Sequence, residues 1–221
     1  MKHFFFIPAR KNSVGLKYKN RKLLPYTLNF IKKVKWIDKT YLFSDDMYFK
    51  KFQSKSFKFI PRPNKISKPN DSIKKVISHF LESIPFSPED RLWLLYLTIL
   101  IRKINHFNTS KAIVENNNFK SLISFREVET HPFDCWHLNK KLTTIKKKYV
   151  ENNIFRRQDK IPLYEHYHYL SVLKVSELNS LNDELINNQT VPIVLEKNFM
   201  SNIVEIDTKY DFQKFINYEK K

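Results

Sequence analysis

The stretch Phe4–Asn20, FFFIPARKNSVGLKYKN, places Arg10, Lys11, Lys17 and Lys19 around the only glycine of the chain, Gly15. A short apolar run that stops at a turn of Pro, Asn, Ser, Gly and cations is how a buried strand delivers a loop to a phosphate. Cationic side chains and backbone N–H groups can face a triphosphate there, and a residue without a Cβ lets the backbone approach closely or take positive φ. The spacing is neither G-x-x-x-x-G-K-[ST] nor G-x-G-x-x-G, which sets aside the Walker loop and the dinucleotide-binding turn. Other chemistry-bearing residues are sparse. Glu205 and Asp207 share one strand face and, taken alone, read as solvated carboxylates. His166 and His168 in YEHYHY also share a face and could ligate a metal, but no third ligand stands at a recognisable spacing, so the sequence argues against zinc. His131 and His137 beside Cys135 fare no better, and nothing in the sequence marks Cys135 as a nucleophile.

The elements that must position this loop follow from apolar periodicity. Phe4–Pro8 is predicted as a strand and Pro25–Lys35 as an amphipathic helix with Tyr26, Phe30 and Val34 at four-residue intervals. Lys39–Phe43 is a second strand, Ser44-Asp45-Asp46 supplies capping residues, and Met47–Phe52 is a short helix. Phe57–Ile60 is a third strand, Asp71–Ser83 a helix with Ile73, Val76, Ile77, Phe80 and Leu81 on one face, and Leu92–Ile101 the most hydrophobic strand. Lys111–Asn118 is a candidate helix and Ser121–Phe125 a strand. The region 127–165 reads as an irregular insertion with a helix around Leu142–Val150. Tyr167–Val172 and Thr190–Leu195 are strands around a helical Ser176–Leu185, and Ile203–Ile206 is a last strand before the helix Asp211–Tyr218. Continuous apolar strands alternating with helices indicate an α/β fold with a mostly parallel sheet covered on both faces.

The 221 residues, 42% hydrophobic and 15% aromatic, suffice for one substantial core. We read them as one domain. The longest apolar stretch, Leu92–Ile101, is about half the length needed to cross a bilayer, and the N-terminus has no small-residue cleavage site. With Cys135 the only cysteine, a disulfide framework is excluded and a reducing cytoplasm is the expected location. The 40 Lys and Arg against 22 Asp and Glu give a formal charge of +18. That invites a polyanion, but the cations are spread along the chain without a recognition motif, so no specific nucleic-acid partner is expected. The one run, Lys146-Lys147-Lys148, reads as a solvated helix face.

The loop resembles that of the acylneuraminate cytidylyltransferases, the CMP-sialic acid synthetases. Ile7-Pro8-Ala9-Arg10, Ser13, Gly15, Lys19 and Asn20 stand in the register of that family's pattern. Ser44 and Asp46 resemble its Ser-Thr-Asp turn, Arg62-Pro63 its Arg-Pro, Ser72 a serine opening the next helix, Arg157-Gln158 its sugar-side Arg-Gln, and Glu205-Ile206-Asp207-Thr208 its terminal Asp-Ile-Asp-Thr. Of the fourth-strand motif only Thr98 and Arg102 remain. The resemblance implies a Rossmann-like three-layer nucleotidyltransferase fold, a homodimer with 127–165 at the dimer or sugar side, and transfer of CMP from CTP to a 2-keto-3-deoxy sugar acid, with Mg²⁺. It implies Arg10, Lys19 and Asp207 as catalytic residues and Ala9, Ser13, Gly15, Asn20, Arg62 and Ser72 around the nucleotide. Thr98, Arg102, Arg157 and Gln158 would face the sugar, and Asp207 with Glu205 would hold the metal. The missing sugar-side residues raise an alternative, a non-catalytic nucleotide- or partner-binding descendant of the fold.

Overall fold

The computed structural model describes residues 1–12, 15–141, 145–147, 154 and 156–219. Its elements in chain order are β1 (His3–Pro8), α1 (Lys19–Ile31), β2 (Lys39–Ser44), β3 (Phe57–Pro61), α2 (Ile73–Glu82), β4 (Arg91–Leu94), α3 (Ile104–Val114) and β5 (Ser121–Glu127). They continue with β6 (Trp136–Leu138), β7 (Ile145–Lys147), β8 (Tyr164–Lys174), β9 (Val191–Val194), α4 (Lys197–Met200) and α5 (Lys209–Glu219). Seven strands form one sheet in the order β3-β2-β1-β4-β8-β5-β9. All neighbours pair parallel except β8, which runs antiparallel to both β4 and β5. This is the α/β architecture with a mostly parallel sheet that the apolar pattern predicts.

Strand alternation sends successive side chains of β1 to opposite faces, and each face has its own core. Phe5 and Ile7 join Leu23, Phe30, Trp93, Phe107, Tyr169, Phe199 and Phe215 beneath α1, α3, α4 and α5. Phe4 and Phe6 join Tyr41, Phe43, Val76, Ile77, Phe80 and Leu94 beneath α2. Buried on both sides, β1 can be apolar throughout, which is why its sequence does not alternate.

Several boundaries differ from the sequence reading, each for a physical reason. Helix α1 begins at Lys19, six residues ahead of Pro25, which lies inside it. The run Leu92–Ile101 is strand only to Leu94. Beyond it Leu97 and Ile99 stay buried because the chain folds under the C-terminal segment, where Ile206 N donates to Thr98 O at 2.9 Å. The expected strand Ile203–Ile206 is reduced to a single bridge between Ile99 and Glu205. Helix α3 starts at Ile104, ahead of the expected Lys111. Met47–Phe52 is a 3₁₀ helix capped by Asp46, and the helix expected over Ser176–Leu185 is a 3₁₀ helix at Val175–Ser180 followed by a turn. The helix expected around Leu142–Val150 lies mostly outside the described residues; Ile145–Lys147 within it form β7, paired antiparallel with β6.

At the amino edge of β1, His3 is 5% exposed and its Nδ1 accepts a hydrogen bond from Trp93 Nε1 at 3.1 Å. Burial lowers its pKa below the ordinary 6.5, and protonating Nδ1 would set one N–H against another. The unfolded chain therefore takes up a proton below about pH 6.5 that folded His3 resists, so stability falls as pH falls through that value. His106 and His168, also lowered by burial, act in the same sense. Urea midpoints should drop between about pH 7.5 and about pH 5.5. His3→Gln, which can still accept from Trp93, should flatten that drop; an unchanged pH slope in His3→Gln would exclude His3 as a contributor.

Candidate active site at the carboxyl edge of the sheet

From β1 the chain runs through α1 to β2 on one flank of the sheet, and from β4 through α3 to β5 on the other, which opens a crevice at their carboxyl ends. A cleft of about 250 Å³ lies there, lined by Pro8, Arg10, Lys19 and Asn20 from the first loop, Arg62, Lys68 and Asp71 after β3, and Tyr96 and Thr98 after β4. Four cations thus converge on one opening.

The first loop is held at both ends. Ala9 N donates to Phe43 O at 3.0 Å, so this amide is committed to the sheet edge. Asn20 Nδ2 donates to Arg10 O at 2.8 Å and closes the loop onto the first turn of α1. Lys11 N is bound by Asp45 Oδ1 at 2.7 Å. Beside the loop, Arg21 makes a two-point contact with Asp46, Nε to Oδ2 at 2.6 Å and Nη2 to Oδ1 at 2.8 Å. Although burial opposes it, these bonds and the one from Tyr48 N hold the Asp46 carboxyl below its ordinary pKa. The Ser-x-Asp turn after β2 is therefore a brace for α1.

Gly15 has φ +94°, and a Cβ built on it would lie 2.4 Å from the main-chain oxygen of Asp207. The close approach that the glycine permits is thus to the protein's own backbone, at the segment carrying the candidate metal ligands. Four residues on, Lys19 Nζ donates to Asp207 Oδ1 at 2.6 Å; the lysine side chain is 9% exposed and the carboxylate 63%. Asp207 is fixed from the other side by the start of α5. Thr208 and Asp211 exchange capping bonds, Thr208 N to Asp211 Oδ2 at 2.8 Å and Asp211 N to Thr208 Oγ1 at 3.2 Å. The rings of Phe212 and Phe215 meet Tyr26 edge-on and pack α5 against α1.

Glu205 stands one bridge earlier, with Thr98 Oγ1 3.5 Å from its Oε1. Desolvation and then the negative charge of Asp207 push its carboxyl above the ordinary range. Two hard oxygen donors beside a cationic cleft, Asp207 at Lys19 and Glu205 at Thr98, fit the needs of Mg²⁺, which takes one or two carboxylates and completes its shell with water and phosphate.

The remaining predicted residues are spread more widely. Arg62 is buried, and both Nε (2.8 Å) and Nη2 donate to Ile66 O; burial lowers its pKa. Ser72 is the N-cap of α2, its Oγ accepting from Lys75 N at 3.3 Å. Arg102 turns away from Thr98 into a separate depression with Tyr26, Phe30 and Phe215. Its Nη2 donates to Tyr96 O at 2.6 Å, and burial pulls its pKa down to about 10. Gln158 lines another cavity, with His131 and Lys160. Arg157 begins a 3₁₀ turn, and Ser13 lies outside the described residues.

Sequence reasoning missed a second cavity, of about 470 Å³, which meets the carboxylate segment at Glu205. Its wall includes Arg126, Tyr164, Tyr167, Met200 and Ile203. The Arg126 guanidinium lies 4.8 Å from the centre of the Tyr167 ring and its Nε donates to Glu165 Oε1 at 2.7 Å. Arg126 is the second-to-last residue of β5, directly after its apolar run.

The mixed seven-stranded sheet, with helices on both faces and a cleft at its carboxyl edge, is a three-layer α/β architecture. No protein-family model matches the chain, and no curated protein matches it in sequence. Among solved structures it is similar to a CMP:2-keto-3-deoxy-manno-octonic acid synthetase complexed with CTP, with a TM-score of 0.68 over 100% of this chain and 99% of that one, at 13% identity. It is also similar to the 4-diphosphocytidyl-2C-methyl-D-erythritol synthase of Anaerococcus prevotii, with a TM-score of 0.62 at 12% identity over 100% of this chain and 96% of that one. The Francisella tularensis 2-C-methyl-D-erythritol 4-phosphate cytidylyltransferase gives 0.60 at 12% identity, covering 99% of each chain. At such identities the likeness is one of fold. Among the described residues no helix is long and apolar enough to cross a membrane.

Gly15→Ala should lower stability by more than about 1 kcal/mol, since alanine is disfavoured at positive φ and its methyl meets main chain. Because the obstacle is a carbonyl oxygen, truncating the Asp207 side chain should not relieve it. Urea unfolding of Gly15→Ala, Asp207→Ala and the double variant checks this; rescue in the double variant would mean that the side chain, and not the backbone, sets the constraint.

Proposed function

We propose that this protein is a cytidylyltransferase that transfers CMP from CTP to the hydroxyl of a keto-sugar acid and releases pyrophosphate. The observation that carries the reading is the junction of Arg10 and Lys19 with Asp207 and Glu205 at the carboxyl edge of β1 and β4. The fold shared with three cytidylyltransferases supports it.

In this reading the acceptor oxygen forms a bond to the α-phosphorus as the bond to the β-phosphate bridging oxygen breaks. The hydroxyl proton passes to solvent. The protein contributes positioning and charge neutralisation. Arg10 and Lys19 bind the triphosphate and the departing pyrophosphate, and Lys19 is oriented for this by Asp207. Asn20 holds the loop, while Arg62 shapes the wall against which the nucleoside lies. Magnesium would be held by Asp207 and Glu205, and its chemistry there is neutralisation of phosphate charge. The acceptor occupies the second cavity, its carboxylate met by Arg126 and its body by Tyr164, Tyr167 and Ile203.

Arg10→Ala should lower CTP affinity or turnover at least tenfold, consistent with roughly 1.5–3 kcal/mol for a charge-assisted bond. Unchanged CTP affinity and turnover would remove Arg10 from the site. Arg126→Ala should raise KM for the sugar acid at least tenfold while leaving KM for CTP nearly unchanged. Equal effects on both substrates would contradict a separate acceptor pocket. Both follow from pyrophosphate release with CTP, magnesium and a panel of keto-sugar acids. CTP binding without pyrophosphate release for any acceptor would overturn transfer and leave a nucleotide-binding protein.

A further inference from the structure

The antiparallel strand β8 carries two histidines that nucleotide chemistry does not use. His166 and His168 point to the same face, and both meet Glu184, which lies sixteen residues beyond His168 in the turn after the 3₁₀ helix. Glu184 Oε2 is 3.4 Å from His166 Nε2 and 3.3 Å from His168 Nε2, and one donor atom from each of the three side chains lies within 4.8 Å of the others. The third ligand absent from any local motif is thus supplied by the fold.

We propose that His166, His168 and Glu184 bind one divalent transition-metal ion of the zinc class, at a site distinct from the nucleotide cleft and from the Glu205–Asp207 pair. A tetrahedral ion with nitrogen and oxygen ligands at about 2.0–2.1 Å requires neighbouring donors about 3.4 Å apart, and both carboxylate–imidazole edges have that length before any ion is present. Two imidazoles with one carboxylate suit zinc, cobalt or nickel and disfavour magnesium and calcium, which prefer all-oxygen shells.

The surroundings support ligation over a surface ion pair. The His168 side chain is 15% exposed, so the ring is held in the fold and not free at the surface. His168 Nδ1 lies 2.8 Å from the hydroxyl of buried Ser171, an outer partner that fixes the ring and leaves Nε2 towards Glu184. A metal on Nε2 would put the ring proton on Nδ1, where the Ser171 hydroxyl is placed to accept it.

The Glu184 turn is equally fixed. Asn182 Oδ1 accepts from Glu184 N at 3.0 Å and from Ile186 N at 2.9 Å. Leu185 takes φ +64° while 1% exposed, a strained conformation held by its place in the core. His166 and Glu184 are exposed enough on their outer sides, 41% and 52%, for water to complete the shell. The His168 ring lies 5.3 Å from that of Tyr96, so the ion would clip β8 to this turn behind one wall of the nucleotide cleft.

The inference does not rest on cytidylyl transfer, and its test uses no nucleotide. The full chain carrying Cys135→Ser, which removes the competing thiol, is titrated with Co²⁺ and then Zn²⁺ at about pH 7.5, where histidine is mostly neutral. One equivalent of Co²⁺ should give the intense visible bands of tetrahedral coordination. Zn²⁺ should displace it and Mg²⁺ should not. Glu184→Gln and His168→Ala should each weaken Zn²⁺ binding at least tenfold in competition with a chromophoric chelator. Glu184→Gln, altering an exposed side chain, should keep the metal-free urea midpoint, which separates lost ligation from lost folding. Absence of the tetrahedral spectrum, or unchanged Zn²⁺ affinity in both variants, would overturn the site.

Discussion

The contact on which the site depends is the meeting of the first loop with the C-terminal segment at Asp207. Lys19 and Asp207 are 188 residues apart in sequence, yet a buried amine and a largely exposed carboxylate sit at 2.6 Å. The same segment presents its main-chain oxygen to Gly15 at a range no side chain would allow. These two contacts join a cationic loop to a pair of carboxylates. An ion pair at this position adds little as a surface salt bridge. Its consequence is geometric, because Lys19 is held by its partner before any ligand arrives.

The sheet makes this junction possible. With β1 between β2 and β4, the chain leaves β1 for β2 on one flank of the sheet and β4 for β5 on the other, and the cleft at their carboxyl ends opens between them. The cover is supplied by the C-terminal chain: Ile206 N bonds to Thr98 O, and α5 packs on α1 through Tyr26 and Phe215. The cationic cleft and the second cavity therefore share the Thr98–Glu205 contact as a partition.

Much of this was legible from local pattern. The apolar runs of β1, β2 and β3 and the 3.6-residue period of α2 marked the first half, and the cations around Gly15 marked the loop. The chain withheld what depends on distant partners. Gly15 was readable as a position needing no Cβ, but the atom it must avoid belongs to Asp207. Leu97 and Ile99 were read as strand because burial alone was visible, and the segment that buries them lies a hundred residues later. The helix was read from Pro25 because the apolar spacing of Tyr26, Phe30 and Val34 begins there, whereas Lys19 and Asn20 had already begun α1. Glu184 beside His166 and His168 had no signal at all in spacing.

The central claim is that the Gly15–Lys19 loop and the Glu205–Asp207 segment form one nucleotide site. Hydrogen–deuterium exchange of the wild-type chain with and without CTP and magnesium measures this directly. The account predicts that CTP slows exchange in both segments together, at amides of residues 10–20 and 205–208, with little change in the β6–β7 pair. Protection confined to one segment, or absent from both while CTP is bound, would contradict it.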